Sequence, residues 1–215
     1  MSKRVACLGS GSGSPGDVAY DQMTEVGREC ARRGVEVYTG AYGGTGMEAP
    51  ARGANEIGGT SVGFFCGSLF PALQSNSFLT KVIDCHTHTM LGGVNWYSTL
   101  GIRLTGLLSA NGFIVAAGGG IGTFFELVAL ILHNAKVWNK SPKPIVVLHP
   151  SGAWPIKGWE LKAFQQLKLW GLIDDTGLSQ IYVYNDPINA VRRVLGEELD
   201  GLPGSLAELD PSEFG

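Results

Sequence analysis

The segment FIVAAGGGIGTFFELVALI passes from a β-rich apolar run through three glycines into a helical pattern, and it is the part of this chain best suited to hold an anion. A helix N-terminus presents unpaired N–H groups and the positive end of its dipole, and glycines ahead of it let a phosphate reach the main chain. The turn from Gly118 to Thr123, through Gly119, Gly120, Ile121 and Gly122, is therefore expected to bind phosphate. Its spacing is not GxxxxGK[ST] and it carries no lysine, which disfavours triphosphate hydrolysis. Nor does the first glycine turn, GSGSGSPG (Gly9 to Gly16), have an acidic partner for a dinucleotide ribose, since Tyr38 and Thr39 end the second apolar run.

Two further groups carry alternative readings. VIDCHTH, Val82 to His88, imitates the HxH strand of metal-dependent amidohydrolases, with two histidines on one strand face. Such enzymes need a larger barrel and more ligands than His133 and His149 supply, so a loop over the site, with Trp96 and Tyr97 able to stack on a base, is the preferred reading. Thr123 and Glu126 also match the S/T-x-x-E capping box, which leaves Glu126 a purely structural role. Arg103 could be a solvated helix residue, though its neighbours Leu100, Ile102, Leu104, Leu107 and Leu108 are apolar.

The elements that position these residues follow from periodicity. Apolar β-rich runs at Val5 to Leu8, Val35 to Thr39, Ser61 to Cys66, Phe113 to Ala117, Ile145 to Leu148 and Ile181 to Tyr184 predict six buried strands. Helical patterns fall between them at Asp17 to Arg33, Met47 to Ile57, Thr99 to Ala110, Thr123 to Val137, Trp159 to Leu172 and Pro187 to Leu199. Alternation of this kind predicts a three-layer, Rossmann-like, doubly wound parallel sheet. Ligands of such folds bind at the carboxyl ends of the strands, where the clusters Gly9 to Gly16, Gly40 to Met47 and Gly118 to Thr123 all fall. The apolar face Phe124, Leu127, Val128 and Ile131 reads as core or subunit interface, and Trp138, Trp154, Trp159 and Trp170 as packing residues.

With 215 residues, 44% of them hydrophobic, the chain has material for one core, read as a domain over residues 1–198 with a loosely ordered Gly/Pro/acid-rich tail over 199–215. A net charge of -3 gives no field that would draw nucleic acid or anionic lipid, and no run approaches membrane-spanning length. Cys7, Cys30, Cys66 and Cys85 read as reduced core thiols, which with the absence of a signal-peptide pattern points to the cytoplasm.

GGGIGTFFE resembles the PGGxGTxxE signature of the Lonely Guy family, cytokinin-activating phosphoribohydrolases long mislabelled as lysine decarboxylases. RVACLGSGSG, GVEVYTGAYGGTGMEAPARGANEIGG and KPIVVL follow the order of that family, so the likeness runs from about Lys3 to Val194. The resemblance implies a homodimer that binds an AMP-like nucleoside 5′-monophosphate and hydrolyses its N-glycosidic bond, without metal or other cofactor. It assigns the catalytic pair to Arg103 and Glu126, and substrate binding to Gly9, Ser10, Gly43, Gly44, Gly46 and Met47 with Gly119 to Thr123. Two positions depart from the pattern: Gly118 replaces the motif proline, and Leu104 replaces the lysine after the arginine. Branches of the same superfamily with a GGG turn include molybdenum-cofactor carriers, which bind without hydrolysing and which this chain is also similar to. Asp84 is the single candidate for an acid at the leaving base, and nothing in its spacing favours it.

Overall fold

A computed structural model describes residues 3–86, 96–137, 141–149, 164, 166–168, 170–171, 173–199 and 205–208. Seven parallel strands form one sheet: β1 (Arg4–Leu8), β2 (Glu36–Thr39), β3 (Ser61–Phe65), β4 (Lys81–Asp84), β5 (Gly112–Ala116), β6 (Ile145–Leu148) and β7 (Ile181–Tyr184), in the order β4-β3-β2-β1-β5-β6-β7. Among the described residues the helices are α1 (Val18–Arg32), α2 (Glu48–Glu56), α3 (Trp96–Leu108), α4 (Ile121–Lys136), α5 (Asp175–Leu178) and α6 (Pro187–Val194), and residues 164 and 166–168 are also helical.

The central strands are apolar on both faces because both faces are covered. In β5, Phe113 and Val115 join one core layer while Ile114 and Ala116 join the other, and β1 and β6 alternate in the same way. One layer is closed by α3, α4 and α5 through Leu107, Leu127, Leu130 and Leu178. The opposite layer is closed by α1, α2 and α6 through Met23, Val26, Ala54 and Val191. The three-layer, doubly wound parallel architecture read from the sequence is thus the observed one.

A seventh strand, β4, was not among the six expected. It is the sheet edge, and Lys81, Val82 and Asp84 are exposed, so its sequence shows no buried apolar run. The part of VIDCHTH that lies within the described residues, Val82 to His86, is therefore this strand and the two residues after it rather than a loop throughout; His88 lies outside them. The helix expected over Trp159 to Leu172 falls largely outside the described residues, although Phe164 packs in the core. Within the segment expected to be loosely ordered, Ser205 bridges to Tyr182 and Leu206 is buried. Among the described residues no helix is long and apolar enough to cross a membrane.

Strand order reverses between β1 and β5. Chain progress runs outward from β1 to β4, then returns over the sheet through α3 to place β5 on the other side of β1. Loops leaving β1 and β5 at their carboxyl ends diverge there and leave a crevice.

Candidate functional site

The crevice is built by the loops the sequence singled out. After β1 the chain enters Gly9, and after β2 it returns through Gly44–Met47 so closely that a Cβ on Gly46 would lie 2.2 Å from the Gly9 nitrogen. Three bonds hold the loops together: the Gly46 amide donates to the Ser10 carbonyl (3.1 Å), and the Thr45 amide (2.9 Å) and hydroxyl (3.0 Å) both donate to the Ser12 carbonyl. Glycine at both positions is thus a requirement of backbone against backbone.

A cleft of about 380 Å³ opens between this pair of loops and the start of α4. Its walls include Gly9, Ser10, Met47, Arg103, Gly120, Ile121, Gly122, Thr123 and Glu126, all expected site residues. Four other expected residues stand behind the wall. Gly44 and Gly46 pack against the backbone of the first loop, Gly119 lies beneath Thr123, and Gly43 approaches the Glu48 carboxylate. Gly11 and Gly40, from the glycine clusters expected at this sheet edge, also line the cleft, as do Cys7 and Leu8, which were not anticipated. Cys7 and Leu8 are visible from sequence only as the end of a strand that feeds a glycine loop.

Helix α4 begins without a side-chain cap. Gly120 is its N-cap, and the first helical bond runs from the Phe124 amide to the Gly120 carbonyl at 3.1 Å. The amides of Ile121, Gly122 and Thr123 precede that bond and have no helical acceptor, so the dipole end faces the cleft. Thr123 is the third helical residue, not the cap, and the capping-box reading of Thr123 with Glu126 fails for that reason.

Glu126 turns instead toward Arg103. The Arg103 Nη1 donates to Glu126 Oε1 at 3.0 Å, and the two side chains are only 18% and 11% exposed. Burial raises the Glu126 carboxyl above the ordinary glutamate range, and the facing guanidinium opposes the rise. Arg103 is held flat against the chain at Gly40, where a Cβ would lie 1.9 Å from Nη2, and Nη2 also lies 3.9 Å from Met47 Sδ. The Arg103 Nε is buried and has no hydrogen-bond partner among the described residues.

Asp84, the candidate acid, is exposed at the end of β4 and accepts the His86 amide at 3.1 Å; it is not part of the cleft wall. Among the described residues no group of three or more His, Cys, Asp or Glu is arranged to hold a metal, and His88 of the HxH pattern lies outside them. The side chains of Trp96 and Tyr97, expected to stack on a base, and the residues Trp138, Trp154 and Trp159 also lie outside; Trp170 is exposed.

Several solved structures share this architecture. The molybdenum cofactor carrier protein of Chlamydomonas reinhardtii aligns over 92% of this chain and 100% of its own, at 21% identity and a TM-score of 0.57. The molybdenum cofactor binding protein of the phototrophic bacterium Rippkaea orientalis aligns over 91% and 96%, at 20% identity and a TM-score of 0.57. A structural-genomics target, TM1055, aligns over 91% and 99%, at 24% identity and a TM-score of 0.63. No curated protein matches the chain. These likenesses carry the fold. The model of the SLOG cluster4 family matches residues 2–149, in agreement with the Lonely Guy-type motifs. The chain belongs to the SLOG cluster4 family.

Proposed function

We propose that this protein is a nucleoside 5′-monophosphate phosphoribohydrolase, cleaving the N-glycosidic bond of an AMP-like substrate to free base and ribose 5-phosphate. The observation that carries the reading is the Arg103–Glu126 pair beside the uncapped start of α4. The 5′-phosphate takes the amides of Gly122 and Thr123, with Ser10 and the Gly9 loop opposite. Bond cleavage develops positive charge on the ribose, and a carboxylate near C1′ stabilises it and orients the attacking water. Glu126 has that role, and Arg103 holds phosphate or ribose hydroxyl oxygens through its planar fork.

The working unit we infer is a homodimer. Ile121, Phe125 and Leu132 of α4 are 83%, 61% and 55% exposed, and with Val128 they form one stripe at helical spacing. A stripe of that kind is the expected signature of a face covered by a second copy.

One observation favours a second reading, a carrier that binds without hydrolysing. Gly118 adopts φ +82°, which proline cannot, so this turn differs from that of the PGGxGT pattern. Leu104 also leaves the site one cation poorer. Molybdenum-cofactor binding is the function named for two of the similar structures.

The deciding experiment incubates the protein with AMP, N6-substituted and pyrimidine monophosphates and assays ribose 5-phosphate. Release that Glu126→Gln lowers by roughly 10²-fold or more supports the hydrolase. Tight binding with no product, unchanged by Glu126→Gln, supports the carrier.

A further inference from the structure

The register of β3 and β4 pairs Phe65 with Asp84, and the Cys85 amide donates to the Phe65 carbonyl at 2.8 Å. One step further along both strands, Cys66 therefore lies beside Cys85. Both side chains point into the same core layer, with Phe64 and Leu107, and both are free thiols. The Cys85 thiol donates to the Ile83 carbonyl at 3.7 Å, and the Cys66 amide donates to the Tyr42 hydroxyl at 3.0 Å. Adjacent strands are about 4.8 Å apart. That spacing falls within the roughly 4.4–6.8 Å between Cα atoms that a disulfide spans.

Both thiols are closed from solvent, Cys66 at 0% and Cys85 at 1% exposed, and neither is part of the cleft wall, but Arg103, which is, lies near them. Helix α3 crosses this face of the sheet, and the charge of Arg103 acts on both sulfurs. Cys7 and Cys30, by contrast, belong to the opposite core layer.

We propose that Cys66 and Cys85 are a reversible redox couple, which closes on oxidation into a disulfide joining β3 to β4 behind Arg103. The two thiols differ in the way such a couple requires. Donation from Cys85, together with Arg103, lowers the Cys66 thiol against the effect of burial, whereas Cys85 is raised far above the ordinary cysteine range. In the proposed couple Cys66 acts as the attacking sulfur and Cys85 as the resolving one. The oxidant class is a hydroperoxide. The Cys66 thiolate attacks the outer oxygen, the O–O bond breaks, and the departing oxygen takes a proton to leave as water or alcohol. The sulfur of Cys85 then attacks the Cys66 sulfenic acid, and the displaced hydroxide leaves as water with the Cys85 proton. Two thiols lose two electrons in total and the peroxide gains them; a dithiol reductant reverses the step. This couple stands or falls independently of whether the cleft hydrolyses its ligand.

The test treats the reduced, folded full chain with equimolar hydrogen peroxide, quenches by alkylation in denaturant, and reads intact mass and a peptide map. The expected result is an intact mass carrying two alkyl groups where the reduced control carries four, one Cys66–Cys85 cross-linked peptide two hydrogens lighter than the sum of its two thiol peptides, alkylated Cys7 and Cys30, and full reversal by dithiothreitol. In Cys85→Ser, Cys66 should be trapped by dimedone as the sulfenic acid, and Cys66→Ser should give neither bridge nor adduct. Alkylation of both Cys66 and Cys85 after peroxide, or a bridge that engages Cys7 or Cys30, overturns the proposal. The wild-type map decides the matter alone if either variant fails to fold.

Discussion

Gly40 determines where the Arg103 guanidinium can lie. A methyl group there would overlap Nη2 at 1.9 Å, so Gly40→Ala must push the fork away from Glu126 while leaving the buried strands untouched. A displacement near 1 Å at a reacting centre costs on the order of 10²-fold in rate, and a loss of that size is expected in ribose 5-phosphate release, with the thermal midpoint little changed. An unaltered rate would mean Arg103 has no part in the reaction. Glu126 makes a second prediction, on pH. Its carboxyl is raised chiefly by burial, so the folded state holds this proton more tightly than the unfolded chain. Stability from this group is therefore complete below the ordinary glutamate range and lost as pH rises through the raised value. Activity that uses the carboxylate should rise over the same window. Urea midpoints and rates measured side by side should trend in opposite directions, and Glu126→Gln should flatten the stability trend. At this scale the motif made Arg103 and Glu126 legible, but not Gly40, because the requirement arises only when α3 lays a side chain across the end of β2.

For α4, the uncapped N-terminus is both a local weakness and the feature a ligand would use. Gly120 has ordinary backbone angles and open space where a Cβ would point. Gly120→Asp should supply the missing acceptor and raise stability by about 0.3 kcal/mol. The same carboxylate would occupy the place of the ligand phosphate, so affinity for AMP should fall by roughly tenfold or more. Equal losses of stability and affinity would instead show that Gly120 serves packing. Element existence was readable wherever burial on both faces left an apolar run, as at β1, β5 and β6. Edge strand β4 escaped because exposure frees its residues from that pattern. The capping-box reading of α4 failed for a related reason: Thr123 and Glu126 have the spacing of a cap, but the helix starts two residues before Thr123 and Glu126 is drawn to a charge from α3.

At the scale of the whole molecule, strand order creates the cleft, since the reversal between β1 and β5 brings together loops more than a hundred residues apart. That much followed from alternating elements and clustered glycines. What a single chain could not resolve was which apolar residues of α4 face inward. Of Phe124, Leu127, Val128 and Ile131, Leu127 is fully buried whereas Val128 belongs to the exposed stripe with Ile121, Phe125 and Leu132. If a second copy covers that stripe, Leu132→Glu should place a charge within the interface while asking nothing of the core, because Leu132 is 55% exposed in the single chain. Sedimentation should then find a dimer for the wild type and a monomer for the variant, with circular dichroism and thermal midpoint preserved. Ile121 belongs to both the stripe and the cleft wall, so the monomer should also bind AMP more weakly although Leu132 is not part of that wall. A wild-type chain that sediments as a monomer at micromolar concentration would remove the second copy from this account and leave the stripe to another partner.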